Sequence, residues 1–258
     1  MHLFYIRPGF DQKNLSNLYL SGKIYGSMNR RKYLLFIILI MVSVLQGFAQ
    51  NILKPNSALK SHKTLEITSI ELSPDKTVFN LVIENQRSEG GSFCADRNIF
   101  ILYPDGSRLR LLKATDIPVC PDTYKFSSIG EKLHFTLTFP PLKPGTEWID
   151  LLEDCSDNCF WFYGLTLNDE LNHRLDEAFQ LASSGDPEEN VLLFKKILDD
   201  IDSRNLGIEG ALYVNIINAS LEAGDNIGAS VWYKRLLKSG APRMTSYVHY
   251  LNEKGIKY

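Results

Sequence analysis

Residues 160–182 have the sequence FWFYGLTLNDELNHRLDEAFQLA, and the spacing of apolar side chains changes within this stretch. From Phe160 to Leu167 the chain has the short aromatic and aliphatic run typical of a β-strand. After Asn168 the apolar residues recur every three or four positions, which is the spacing of an amphipathic helix. The chain is therefore predicted to change from β-structure to α-helix at this point.

Seven short strand-like runs, separated by turn residues, occupy the region before this change. Alternation of apolar and polar residues is clear in the run 132–139, where Leu133, Phe135, Leu137 and Phe139 share one face. No long helical pattern interrupts the runs, so residues 60–167 are predicted to form an antiparallel, Ig-like β-sandwich. The predicted strands are 65–72, 77–84, 98–103, 108–113, 132–139, 148–152 and 160–167.

Five helices are predicted in the remainder, residues 168–258. Asp186-Pro187 marks the start of the second helix, because Asp is a common N-cap and Pro fits the first helical position. Short loops between the helices indicate an αα-hairpin array. The expected fold class is therefore α+β, with two domains. The other helices are expected at about 168–182, 208–222, 226–238 and 243–254.

The N-terminal 49 residues have the features of an export signal. Arg30, Arg31 and Lys32 precede a 14-residue apolar run, and Gly47-Phe48-Ala49 provides small residues at a cleavage site. The signal proper is assigned to residues 28–49 and a leader to 1–27, with an uncleaved N-terminal anchor as the alternative. Either Met1 or Met28 could be the start. After cleavage, we expect no transmembrane anchor and a periplasmic or secreted protein.

Composition and charge exclude several classes of protein. The chain is 44% hydrophobic and 22% charged, which is typical of a globular protein. Residues 50–258 contain 22 basic and 29 acidic side chains, a net charge of −7. A nucleic-acid partner is therefore not expected.

The four cysteines, Cys94, Cys120, Cys155 and Cys159, all follow the predicted signal. An even number in an exported protein favours disulfides, and the preferred pairing is Cys94–Cys120 with Cys155–Cys159. Free thiols and a four-thiolate metal site are the alternatives.

The sequence contains no recognised catalytic motif among those for hydrolases, nucleotide binding or zinc. The acidic segment Glu153–Cys159 could hold a divalent cation, but a charged cystine-closed hairpin tip is preferred. No cofactor or metal is therefore expected, and the protein is predicted not to be an enzyme. Two carboxylates brought together only by folding have no sequence motif.

Residues 211–242 resemble a tetratricopeptide repeat. Tyr213 takes the first aromatic position, Gly224-Asp225 the turn, Ala229 the small contact and Tyr233 the second aromatic position, whereas Ile217, Ser220 and Leu236 depart from the pattern. The resemblance implies two degenerate repeats and a terminal helix. It also implies that the first helix of a hairpin lines a peptide-binding groove, where Asn215, Asn218 and Glu222 are the candidate residues.

Residues 135–167 are similar to an accessory β-sandwich domain of exported Gram-negative bacterial proteins. The matching residues are Phe135, Leu137, Phe139, Pro141, Leu142, Gly145, Thr146, Ile149, Asp150, Glu153 and Gly164. The resemblance implies no chemistry of its own.

These observations favour an exported, non-enzymatic interaction or scaffold protein of the cell envelope that binds a protein or peptide partner. The first alternative is recognition of a glycan or envelope polymer through Trp148, Trp161 and Tyr163. The second is an accessory protein of an uncharacterised hydrolase. The oligomeric state is not predicted.

Overall fold

The computed structural model describes residues 50–183, 185–201 and 205–258, all within one compact unit that spans 48–258. The predicted leader and signal peptide lie outside the described residues. The fold is mixed α+β, as predicted. The expected boundary at residues 167 and 168 lies between the last strand and the first helix, and as a domain boundary it stays a prediction.

Twelve strands and five helices make up the described chain. The strands are β1 (Gln50–Leu53), β2 (Leu59–Lys60), β3 (Leu65–Leu72), β4 (Thr77–Glu84), β5 (Ser92–Phe93), β6 (Ile99–Leu102), β7 (Arg108–Arg110), β8 (Lys113–Thr115), β9 (Tyr124–Lys125), β10 (Lys132–Phe139), β11 (Trp148–Glu153) and β12 (Trp161–Thr166). The helices are α1 (Asp169–Ala182), α2 (Pro187–Ile201), α3 (Glu209–Glu222), α4 (Asn226–Lys238) and α5 (Met244–Glu253).

Two five-stranded antiparallel sheets and the two-stranded antiparallel pair β5–β9 form the β half, residues 50–167. One sheet has the order β1-β3-β4-β10-β8 and the other β2-β12-β11-β6-β7. Leu133, Phe135, Leu137 and Phe139 are buried, as the alternation in β10 predicts. They share one hydrophobic cluster with side chains from both sheets, including Ile101 and Leu151. Burying each such side chain stabilises the fold by about 1.5–3 kcal/mol.

Side-chain caps set the start of several helices in the helical half, residues 168–258. The Asn168 side chain accepts a hydrogen bond from the Leu171 N–H and begins α1. The Asp186 carboxylate accepts one from the Glu188 N–H at 2.8 Å, so the predicted cap of α2 is present. Each cap satisfies a backbone donor that the first helical turn leaves without a partner.

Helix α3 is the centre of the helical half. Ten of its fourteen residues are buried, and it packs against α2, α4 and α5. Gly210 allows close packing with α5, since a Cβ at this position would lie 2.0 Å from the Tyr247 ring. An apolar cluster around α3 forms the second hydrophobic core.

The two halves are joined by contacts that are distant in sequence. Trp148 belongs to β11 but packs into the helical cluster, and its indole N–H donates to the Asn205 carbonyl at 2.8 Å. The Asn56 N–H, between β1 and β2, donates to the Asn172 side chain at 2.8 Å. Phe160 and Phe162, close to the change from strand to helix, are buried in the β-half cluster, whereas Trp161 between them is half-buried.

Two disulfides, Cys94–Cys120 and Cys155–Cys159, are present, and they are the pairing that the sequence favoured. Disulfides persist in oxidising compartments, so they indicate a non-cytoplasmic location. None of the helices in the described ranges is long and apolar enough to cross a membrane.

The two disulfides are expected to contribute unequally to stability. Cys94 and Cys120 are 26 residues apart and Cys155 and Cys159 only 4 apart, so the first restricts the unfolded chain more. Changing Cys94 and Cys120 together to Ala should lower the free energy of unfolding by about 3.5 kcal/mol, against about 2 kcal/mol for the other pair. Urea unfolding of the two double variants measures both values. Equal losses would contradict the chain-entropy argument.

Candidate binding site

The three predicted groove residues lie on the central helix α3. Asn215 is half-buried, and its amide donates to the Ala211 carbonyl of the same helix at 2.8 Å. Asn218 is half-buried and Glu222 is exposed. In the described part of the chain, none of the three lines the cavities of about 470, 520 and 570 Å³. Their role in partner binding therefore stays a prediction.

The three predicted glycan-binding aromatics occupy different environments. Trp148 is only 7% exposed, because it packs between the halves. Trp161 and Tyr163 are half-buried, two residues apart on β12, and therefore point to the same side of the sheet. Their rings are stacked, with centroids 4.2 Å apart and planes at 18°.

Arg243 completes this stack. Its guanidinium carbon lies 3.5 Å from the centre of the Tyr163 ring. Two groups this close to one ring must lie on opposite faces, so Trp161 covers one face of Tyr163 and Arg243 covers the other. We call the three residues the Trp-Tyr-Arg stack. Trp161 forms one end of the stack, so its outer face is not covered by another member of the stack.

A buried carboxylate holds Arg243 in place. Asp150, on β11, is 3% exposed, and one of its oxygens forms an ion pair with the Arg243 guanidinium. The other oxygen accepts a hydrogen bond from the Gly164 N–H at 2.8 Å. Asp150 thereby connects β11, β12 and the residue before α5. Cation–π contact and charge pairing together fix the orientation of the guanidinium.

A cleft of about 570 Å³ lies between the stack and helix α5, and we call it the junction cleft. Leu59, Trp161 and Tyr163 form its sheet wall. The helix wall consists of Thr245, Ser246, His249, Tyr250 and Glu253. The volume is within the range of about 300–1,000 Å³ that is usual for ligand sites.

The periodicity of α5 explains its contribution to the cleft. Tyr247 and Leu251 are buried in the helical core, one turn apart. The opposite face is exposed and carries polar side chains, with His249 Nε2 3.1 Å from the Glu253 carboxylate. The sequence identified Trp161 and Tyr163 but missed this helix wall. The sequence shows the spacing of the polar residues in α5, but it does not show which part of the β half they face.

A second cavity, of about 520 Å³, lies at the end of the β half beside both disulfides. His62 and Glu153 line it. Burial raises the pKa of the Glu153 carboxyl, although the N–H groups of Asp96 and Phe160 donate to it and act in the opposite direction. Burial lowers the pKa of His62.

Glu153 has a structural role in this cavity. Its two oxygens accept hydrogen bonds from Asp96 N–H at 2.6 Å and Phe160 N–H at 2.9 Å, which connects β11 to the segment between β5 and β6 and to the residue that follows the Cys155–Cys159 loop. No group of three His, Cys, Asp or Glu residues suited to a metal ion occurs in the ranges that the structure describes. The preference for a structural loop over a cation site at Glu153–Cys159 stays a prediction.

The raised pKa of Glu153 has a defined effect on the pH dependence of stability. Glu153 binds its proton more tightly in the folded protein than in the unfolded chain. The contribution of Glu153 to the free energy of unfolding therefore falls as the pH rises from the ordinary pKa of Glu through the raised pKa. We therefore expect the free energy of unfolding of the wild type, minus that of Glu153→Gln, to decrease as the pH rises above the ordinary pKa of Glu. Urea unfolding at several pH values measures the difference.

The change Glu66→Gln removes the same charge at an exposed position and serves as the control for this measurement. A wild-type advantage over Glu153→Gln that grows with pH would contradict the direction of the pKa shift.

Comparison with protein-family models, with curated proteins and with solved structures finds no match to this chain. The similarities to tetratricopeptide repeats and to an accessory β-sandwich domain therefore depend on the sequence patterns alone.

Proposed function

We propose that this protein is an exported, non-enzymatic interaction module of the bacterial cell envelope that binds a peptide segment of a protein partner in the junction cleft. The cleft between the Trp-Tyr-Arg stack and the exposed face of α5 is the observation that carries the proposal. Two disulfides and the predicted signal peptide support the cellular location.

The chemistry of the two walls suits a peptide. Leu59 and the open face of Trp161 offer apolar contact on the sheet side. Thr245, Ser246 and Glu253 offer hydroxyl and carboxylate groups on the helix side, where backbone N–H and C=O groups of a peptide need partners. An apolar strip facing a polar strip matches a chain whose successive side chains point in opposite directions.

The aromatic geometry favours a peptide over a glycan. The glycan alternative requires several exposed aromatic faces, but Trp148 is buried and both faces of Tyr163 are covered. Trp161 is then the remaining member of the predicted set with an open ring face. The ring of Trp161 suits one aliphatic or proline side chain, and Tyr250 on the helix wall adds a second exposed aromatic ring to the cleft.

The finer description of the fold belongs to the same proposal. Two antiparallel sheets around one core support an Ig-like arrangement of the β half. Successive helices packed around α3 support a tetratricopeptide-like helical half. In this arrangement the partner binds at the junction, and Asn215, Asn218 and Glu222 form a second candidate surface.

Site-specific photocrosslinking in living cells tests the proposal. A photoreactive phenylalanine analogue at Thr245 should give a covalent adduct with one protein, whereas the same analogue at the exposed Lys196 on α2 should not. The adduct should decrease at least about tenfold when Trp161 is changed to Ala, as for a contact residue that contributes about 1.4 kcal/mol.

Adducts of equal yield at Thr245 and Lys196, or an adduct that contains only polysaccharide, would overturn the proposal. The polysaccharide result would favour the glycan alternative.

A further inference from the structure

The outer face of α4 carries three cations close together. Lys234, Arg235 and Lys238 are exposed and line a shallow depression of about 470 Å³, together with Tyr213, Val231 and Ser239. We call Lys234, Arg235 and Lys238 the cationic face. It belongs to a different helix from the wall of the junction cleft.

The three cations of the cationic face differ from the basic residues that form an ion pair with a carboxylate. Lys132, Lys143 and Arg174 each lie within 4.0 Å of a carboxylate. Across the part of the chain that the structure describes, no such ion pair involves Lys234, Arg235 or Lys238. Residues 226–238 contain no Asp or Glu, although acidic side chains outnumber basic ones in residues 50–258.

This arrangement has an energetic cost for the free protein. Lys234 and Lys238 are four residues apart on one helix, where like charges repel by about 0.2–0.5 kcal/mol. The C-terminal end of the helix dipole favours cations in the last turn and offsets part of this repulsion. The dipole does not account for the exposed apolar residues farther along the same face.

Two aliphatic side chains extend the cationic face toward the start of α4. Ile227 is 81% exposed and Val231 is 45% exposed. Ile227, Val231, Lys234 and Lys238 are separated by three or four residues, so they lie in one line along the helix. Exposed aliphatic residues in line with unpaired cations form a surface suited to a partner with both carboxylates and apolar side chains.

Arg235 lies beside this line of residues, and an aromatic ring orients its side chain. Its guanidinium carbon lies 4.5 Å from the centre of the Trp232 ring, which itself packs 6.0 Å from the Tyr213 ring. A guanidinium held over an aromatic ring keeps its N–H groups available in a fixed fork, the geometry that binds a carboxylate through two hydrogen bonds. Less conformational entropy is then lost when a carboxylate binds.

We propose that the outer face of α4 binds an acidic peptide segment of a protein partner, with carboxylates on Lys234, Arg235 and Lys238 and an aliphatic side chain on Ile227 and Val231. The size of the depression fits a short segment. A continuous anionic surface such as a lipid bilayer would also meet the acidic remainder of the protein, so the charge distribution favours the peptide.

Isothermal titration calorimetry with a nine-residue peptide of three Glu-Glu-Leu triplets tests this proposal, using protein purified after export. Wild-type protein should bind the peptide in low salt, and added salt should weaken binding. Lys234→Glu with Lys238→Glu should weaken binding at least about tenfold. Ile227→Ser should weaken it about threefold, because an aliphatic contact is lost.

The double variant Lys125→Glu with Lys196→Glu makes the same charge change at exposed positions outside α4 and should bind within about twofold of wild type. Circular dichroism checks that both double variants fold. Absence of wild-type binding, or equal weakening in the two variants, would overturn the proposal. Binding to phosphatidylglycerol vesicles in preference to the peptide would also overturn it.

Discussion

Changing Arg243 to Met is expected to lower the free energy of unfolding by about 4 kcal/mol, because it leaves the buried Asp150 carboxylate without its counter-charge. The substitution also removes the cation that lies 3.5 Å from the Tyr163 ring centre. Arg243 has a φ of 60°, and the conformational energy of this left-handed backbone is the same for Met as for Arg. The loss therefore reports on the side chain. Urea unfolding followed by circular dichroism measures it.

Two controls separate this effect from general damage to α5. Adding Asp150→Asn to Arg243→Met removes the unpaired charge while keeping an oxygen for the Gly164 N–H, so the double variant should be more stable than Arg243→Met alone. Lys132→Met breaks the exposed pair with Glu84, 3.3 Å apart, and should cost less than about 1 kcal/mol. Equal losses for Arg243→Met and Lys132→Met would contradict the assignment of a buried ion pair.

Changing Gly164 to Ala is expected to cost about 3–4 kcal/mol, because two effects act at this position. Gly164 has a φ of +58°, which an L side chain rarely adopts. A Cβ there would lie 2.3 Å from the Gly207 carbonyl oxygen and 2.8 Å from the Ala58 Cβ. Since the nearest atom belongs to the backbone of the opposite half, no side-chain rotation can relieve the overlap.

Gly145→Ala is the matched control. Gly145 has a φ of +76°, and nothing lies within 4 Å of its added Cβ, so the substitution carries the backbone cost of about 1 kcal/mol alone. The difference between the two variants in urea unfolding measures the steric effect of the junction. Similar losses for Gly164→Ala and Gly145→Ala would show that the two halves are not in tight contact at Gly164.

The long alternating strands were predictable from sequence because their own side chains contain the signal. The strands at 65–72, 77–84 and 132–139 have the predicted bounds, and α4 at Asn226–Lys238 does as well. The short strands β2, β5 and β9 have two residues each, too few for any periodicity. Their positions depend on partners far along the chain.

The candidate site was only partly predictable for the same reason. Trp161 and Tyr163 were recognised as aromatics with period-two spacing, but the sequence does not state which helix faces them. Trp148 has the same residue type as Trp161, and yet its indole is buried against Asn205. Burial of an aromatic at a junction depends on how two elements pack, and no local pattern contains that information.

The hydrogen bond between Asn56 and Asn172 has a consequence for the order in which the protein matures. Synthesis from the N-terminus completes Asn56 well before Asn172, and Trp148 before Asn205. The native contacts of the segment around Asn56 therefore form only after more than a hundred further residues have been added to the chain. During that interval the early segment is exposed to chaperones and proteases, so faults in the last helices should first become visible as cleavage near the beginning of the chain.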